Sequence, residues 1–310
     1  MYANFYKLKR NPFEITPDPY FLFSTTKYKE SLAALYYCVR EQKGFVVLTG
    51  EAGTGKTLLI RCLLQILNGE DVATAYIFNG RLSALEFLHY VTSDLGLAAS
   101  DKTKGDTLQE LNRFLLERYR KKLTTVLIVD EAHLLPTEIL EEIRLLTNLE
   151  TAEQKLLQIV LAGQSELSDR LDSHELRQLK QRIALRAYLE PLELQATNGY
   201  IRRRLQLAGA PADSTSDLLA DDTIARIHHF SGGIPRLINT ISDNALLTGF
   251  ARQLKRIPPD IIDEVATELR LNVGRPESFS IFETSNSAQE TLTLGQRLLR
   301  LRHPVQRNGF

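Results

Sequence analysis

The chain lacks several things that particular protein classes require. Cysteine occurs only twice, at Cys38 and Cys62. Two thiols make neither a disulfide scaffold nor a zinc site by themselves, and both read as small apolar residues of two helices in a reducing compartment. There is no excess of either charge, since 38 Lys and Arg balance 38 Asp and Glu. That argues against a globally basic DNA-packaging protein and leaves room only for local basic patches. Long apolar runs are missing too. The longest, such as Phe45–Leu48 and Val126–Val129, fall far short of the ~20 residues that span a bilayer. Met1 to Arg10 mixes Lys, Arg, Asn and Tyr and lacks the apolar centre of a signal peptide. The expectation is a cytoplasmic protein with no transmembrane segment, docking at the inner membrane only through partners. No internal repeat is visible. The 310 residues, 43% hydrophobic and 25% charged, have ordinary globular composition and suit one large domain or two.

The opening stretch Asn11-Pro12-Phe13-Glu14-Ile15-Thr16-Pro17-Asp18-Pro19 is too rich in proline for a helix and predicts extended, turning chain. Phe5, Phe13, Phe21 and Phe23 read as anchors of this arm, by ordinary surface packing first and on a neighbouring subunit second. Apolar spacing predicts a helix over 27–42, ended by Gly44. Strands are predicted at 45–49, 73–78, 125–129, 157–162 and 186–189, with helices at 58–67, 83–95, 107–122, 137–149 and about 165–179 between them. Short apolar strands alternating with helices imply a mostly parallel α/β sheet covered on both faces. After Pro191 the pattern becomes purely helical (194–208, 221–230, 234–250, 259–269), with Asp221 or Asp222 as a helix cap. The organisation expected is a core over 1–191, a small helical lid over 192–270, and a polar linker and basic tail over 271–310.

The strongest motif is Gly50-Glu51-Ala52-Gly53-Thr54-Gly55-Lys56-Thr57, followed by Leu58. It matches G-x-x-x-x-G-K-[ST] between a predicted strand and a predicted helix, the setting of a phosphate-binding P-loop. Glycines let the loop curl so that backbone N–H groups point at phosphates, and the following helix offers its positive end. Lys56 supplies charge to the β- and γ-phosphates, and the Thr57 hydroxyl ligates Mg²⁺. A second motif, Thr125-Val126-Leu127-Ile128-Val129-Asp130-Glu131, is an apolar strand ending in two acids, as in a Walker B segment. Asp130 would hold Mg²⁺, and Glu131 could polarise the attacking water. Taken alone, such acids serve equally as helix caps; the order after the P-loop gives them weight.

These two motifs and the helical appendage resemble the AAA+ ATPases. More narrowly, the chain resembles the general secretion pathway protein A (ExeA-like) family. The resemblance is carried by Asn11-Pro12-Phe13 with Thr16-Pro17-Asp18-Pro19, the loop Gly50–Thr57, Asp130-Glu131-Ala132-His133, and Gln158-Ile159-Val160-Leu161-Ala162-Gly163-Gln164. It continues in Leu176-Arg177-Gln178-Leu179-Lys180-Gln181-Arg182-Ile183 and in Ser231-Gly232-Gly233-Ile234-Pro235-Arg236-Leu237-Ile238-Asn239. The resemblance implies a P-loop AAA+ fold with ATP and Mg²⁺ as cofactors. It implies a sensor 1 role for Gln164, for which a strand-end turn residue is the equal alternative. It implies a sensor 2 role for Arg236 at the start of a lid helix, where a guanidinium could reach the γ-phosphate. Arg182 and Arg186 are candidates for a finger supplied to a neighbouring subunit, or part of a solvated helix face. Family members tied to secretion commonly continue into a transmembrane helix and a peptidoglycan-binding domain. Neither is seen here, so the chain looks like the short, soluble relatives linked to polysaccharide export and to transposition.

Two basic stretches complete the reading. Arg202-Arg203-Arg204 lies on a predicted lid helix, and the tail holds Arg297, Arg300, Arg302 and Arg307 beside Leu294, Leu298 and Leu301. Either could meet phosphate backbones or an anionic membrane. No aromatic residues interleave with them for base stacking, and the tail leucines suit a partner helix better than a membrane. Two functions follow. One is an oligomerising Mg-dependent ATPase acting on protein partners of an envelope secretion or polysaccharide export machine. The other is an ATP-dependent DNA-binding regulator of the transposition type. A nucleotide switch with negligible turnover is a weaker third, which the acid at Glu131 argues against.

Overall fold

In the computed structural model, which describes residues 2–78, 82–97, 102–210 and 218–271, five apolar runs form one parallel sheet. The strands are β1 (Phe45–Gly50), β2 (Ala73–Ile77), β3 (Thr125–Val129), β4 (Gln158–Gly163) and β5 (Leu185–Leu189), in the order β2-β3-β4-β1-β5. The three inner strands are buried along their whole length, whereas the edge strands β2 and β5 are partly exposed. This is why β1, β3 and β4 read as unbroken apolar runs and β5 carries Arg186 and Tyr188 facing outward. Because side chains alternate across a strand, each inner strand feeds two cores. Phe45, Val47, Leu127, Val129, Ile159 and Leu161 enter one, and Val46, Leu48, Val126, Ile128, Val160 and Ala162 the other.

A one-turn helix α1 (Tyr2–Phe5) opens the chain. Helices α2 (Thr26–Arg40) and α3 (Lys56–Leu67) cover one face of the sheet with Leu35, Val39, Leu59, Ile60 and Leu63. Helices α4 (Ala84–Asp94), α5 (Lys104–Arg120), α6 (Thr137–Leu146) and α7 (Ser165–Asp172) cover the other, with Phe87, Val91, Leu111, Ile143 and Leu167 among the contacts. Capping boxes start α4 (Ser83 with Glu86) and α5 (Thr103 with Asp106). The single helix expected over about 165–179 is in fact two, α7 and the short α8 (Arg177–Lys180). Leu167 and Leu171 lie one turn apart, but the next buried leucine is Leu176. That five-residue step breaks the helical spacing, and Ser173 turns extended to bring Leu176 and Leu179 back to the core.

Beyond β5 come α9 (Leu194–Leu207), α10 (Asp221–Ser231), α11 (Pro235–Ala251) and α12 (Pro259–Glu268), which share a core of their own. The cap of α10 is Ala220, not an aspartate. Both acids sit in the first turn, where they favour the helix dipole, and Asp221 accepts from Arg202 and Asn198. The opening arm also differs from the expected surface packing. Tyr2, Leu8 and Phe13 are built into the core of these helices, where burying Phe13 contributes about 1.5–3 kcal/mol. Asp18 caps a 3-10 turn at Pro19–Phe21. Arg204 explains part of this. It is buried, donates to the Pro12 carbonyl at 2.7 Å and stacks on Phe21 and Tyr200. Arg202 is engaged as well, so the arginine triplet on α9 is not a free basic stripe; only Arg203 is exposed. The described residues fall within the first of two compact units, Met1–Asn272. The linker and the basic tail read from the sequence lie outside the described residues. Among the described residues no helix is long and apolar enough to cross a membrane.

Candidate functional site

The carboxyl ends of β1, β3 and β4 lie side by side, because β4 is inserted between the other two. In a parallel α/β sheet that edge is where ligands bind. The loop after β1 runs from Gly50 into α3, and Gly53 and Gly55 hold φ of +86° and +103°. Side chains rarely adopt such values, and they turn the loop around the free N–H groups that begin α3. Lys56 is buried at the centre of the curl, where its ammonium donates to the carbonyls of Gly50 at 2.8 Å and Glu51 at 2.9 Å. Burial pushes the Lys56 ammonium below its usual pKa, and the charges of Glu131, then Asp130, pull it back. Glu51 and Ala52 are exposed, Leu58 half-buried, and Thr54 closes the loop on the Glu51 carbonyl at 2.9 Å.

Asp130 follows β3 directly and is buried. Its Oδ2 accepts from the Thr57 hydroxyl at 2.8 Å and from the Tyr76 hydroxyl at 3.1 Å, and its Oδ1 accepts from the Glu131 N–H at 2.9 Å. Thr57 and Asp130, both singled out from the sequence, are thus in contact. Tyr76, on β2, was not read from the sequence. The available signal was weak, a tyrosine hydroxyl in a short strand that also carries Thr74. Desolvation and the Asp130 charge raise the Tyr76 phenol, so it is a fixed donor. Glu131 has a left-handed backbone, φ +53°, a strained conformation for a residue with a side chain. Its carboxylate is part exposed, but Oε2 is buried and receives no hydrogen bond.

The remaining predicted residues lie in three places. Gln164 follows β4 directly as the N-cap residue of α7, and its backbone N–H meets His133 Nδ1 at 3.4 Å. Arg236 is in the first turn of α11, and its backbone N–H donates to the Gly53 carbonyl at 3.2 Å. Its charge acts on Lys56. Arg182 and Arg186 are elsewhere. Arg186 lies on β5 paired with Asp172 at 2.9 Å. Arg182 precedes β5, toward the amino ends of the strands and away from the P-loop, where its charge adds to that of Lys155 on Glu150.

Residues 39–171 match the family model of the AAA domain. Loop and strand order agree with that match: the chain carries an AAA domain of P-loop fold. It is similar to General secretion pathway protein A of Aeromonas hydrophila, at 43% identity over 271 residues. That match takes in 87% of this chain and 48% of the relative, so the chain spans about half the length of the curated protein it matches. Among solved structures it is similar to the Aeropyrum pernix ORC1 protein in complex with DNA, at TM-score 0.63 and 17% identity over 85% of this chain and 70% of that one. The Thermotoga maritima RuvB Holliday junction branch migration motor gives TM-score 0.51 at 17% identity, over 79% and 70%. At such identities the likeness is one of fold.

Proposed function

We propose that this chain binds Mg²⁺ with ATP at the carboxyl edge of the sheet, hydrolyses the nucleotide, and works as an ATP-dependent homo-oligomer on protein partners of an envelope export machine. One observation carries the catalytic part: Lys56, Thr57, Asp130 and Glu131 converge although two strands and three helices separate the pairs in sequence. Thr57 and Asp130 offer hard oxygen donors next to each other, a set that fits Mg²⁺. Bound there, the ion would neutralise charge on the β- and γ-phosphate oxygens. Lys56 exchanges the Gly50 and Glu51 carbonyls for phosphate oxygens. Glu131 takes the proton of the attacking water, and Arg236 reaches the γ-phosphate from α11, while Gln164 lies between the two motifs. The export role rests on the likeness to General secretion pathway protein A.

The test is Mg²⁺-dependent ATPase activity of the full chain, with Lys56→Ala as control, measured with and without double-stranded DNA at two salt concentrations. Turnover that needs Lys56 and ignores DNA supports the reading. A large, salt-sensitive stimulation by DNA would favour the regulator instead. Wild-type turnover in Lys56→Ala would end the site assignment.

A further inference from the structure

His133 lies beside Glu131 and takes no part in the chemistry proposed for the site. It sits in a 3-10 turn, Ala132–Leu134, directly after the β3 acids. Three contacts fix it. Its carbonyl accepts from Arg170 Nη1 at 2.7 Å. Its backbone passes so close to the end of β4 that a Cβ on Gly163 would lie 3.1 Å from His133 N. Its Nδ1 has two neighbours at the same distance: the Gln164 N–H at 3.4 Å and Glu131 Oε2 at 3.4 Å.

One of those neighbours is a donor and the other an acceptor. A neutral imidazole nitrogen either accepts or donates, so Nδ1 can serve only one of them at a time. When it accepts from Gln164, Glu131 Oε2 is left buried without a hydrogen bond, as in this structure. A buried carboxylate oxygen without a partner is costly. In the other tautomer Nδ1–H donates to Oε2, and the Gln164 N–H is released at the edge where the phosphates bind. Glu131 is also the first of the acidic charges acting on Lys56, and His133 Nδ1 lies 3.4 Å from the same carboxylate.

We propose that His133 is a positioning residue for Glu131, its Nδ1–H fixing Oε2 so that the other carboxylate oxygen is aimed at the attacking water, and that this bond alternates with the one to Gln164. The end of β4 and the orientation of the base are thereby coupled. This rests on the reading of Glu131 as the general base.

The experiment compares His133→Ala, His133→Asn and His133→Gln in the full chain by steady-state ATPase kinetics, with ATP affinity measured by calorimetry. Asparagine places a polar nitrogen near the Nδ1 position, and glutamine places it near Nε2. His133→Ala and His133→Gln should lose up to ~10²-fold in kcat, the scale of a misplaced catalytic group, with KM and ATP affinity unchanged. His133→Asn should restore most of the rate. In a Glu131→Gln background, His133→Ala should cost nothing further, since the two act as a unit. Asparagine as slow as glutamine, a loss that resides in KM, or full additivity with Glu131→Gln would overturn the proposal. If His133→Ala does not fold, the asparagine and glutamine pair decides alone. Glu131→Gln separates the two levels. If it is slow while His133→Ala and His133→Gln match wild type, only the positioning role is lost; if it turns over at the wild-type rate, the base assignment itself is wrong.

Discussion

The backbone N–H of Arg236 donates to the carbonyl of Gly53 at 3.2 Å, so the helices that follow β5 close directly on the phosphate loop. Gly53 makes this approach possible. A Cβ there would lie 2.7 Å from Arg236 Cβ and 3.0 Å from Ile234 Cγ2, on a backbone at φ +86°. Gly53→Ala therefore meets two costs, a left-handed backbone of about 1–2 kcal/mol and a clash that pushes α11 away. At ~2–4 °C per kcal/mol for a chain of this size, the apo protein should melt several degrees lower. The rise in Tm on adding Mg·ATP should also shrink. Scanning calorimetry with and without nucleotide reads both. A variant as stable as wild type would mean that α11 does not rest on the loop in solution.

Glu131→Gln keeps the size of the side chain and removes its capacity to take a proton. Hydrolysis should fall by ~10²–10⁴, while calorimetry finds Mg·ATP still bound. Equal loss of binding and turnover would instead make Glu131 part of the nucleotide cradle.

Tyr76 and Thr57 donate to the same oxygen, Asp130 Oδ2. With Tyr76→Phe that oxygen loses one of its two donors, while Oδ1 keeps the Glu131 N–H. Outer partners of a metal ligand are typically worth 10–100-fold in metal affinity. The Mg²⁺ concentration for half-maximal ATPase should rise ~10-fold, with the rate recovered at saturating Mg²⁺. An unchanged Mg²⁺ titration would mean that Thr57 and the Glu131 N–H orient Asp130 without help from Tyr76.

Most of the sheet and the loop could be read from sequence because they are local. The inner strands β1, β3 and β4 are apolar runs, and the P-loop residues are contiguous. What could not be read depends on distant partners. The burial of Arg204 is set by Pro12, Phe21 and Tyr200, and a sequence shows only three adjacent arginines. The same holds for Tyr76, whose role exists because β2 pairs with β3 in the register that sets Tyr76 against Ile128. His133 could be quoted as part of a motif, but its place between Glu131 and Gln164 arises only once β4 is inserted beside β3.

That same sheet decides how Arg182 could act. It lies before β5, whose first residue Leu185 pairs with Val46 and whose last, Leu189, pairs with Gly50 at the start of the loop. Those four steps alone span about 13 Å, with Arg182 further back still, so its guanidinium cannot serve the phosphates of its own subunit. Arg186 is held by Asp172. If Arg182 contributes to hydrolysis it must do so at a neighbour's site, where a finger arginine can be worth ~10³-fold or more in rate. The expectation is that Arg182→Ala binds ATP normally and hydrolyses it poorly, and that light scattering finds a larger assembly with ATP than without. Mixing tests the direction of action. Lys56→Ala has a dead site with an intact finger, and Arg182→Ala the reverse, so mixed oligomers join some good sites to good fingers and regain activity above the sum of the separate variants. A mixture that stays at that sum, from variants that do co-assemble, would remove Arg182 from the active interface. Arg186, freed by Asp172→Asn, would be the next residue to test in the same way.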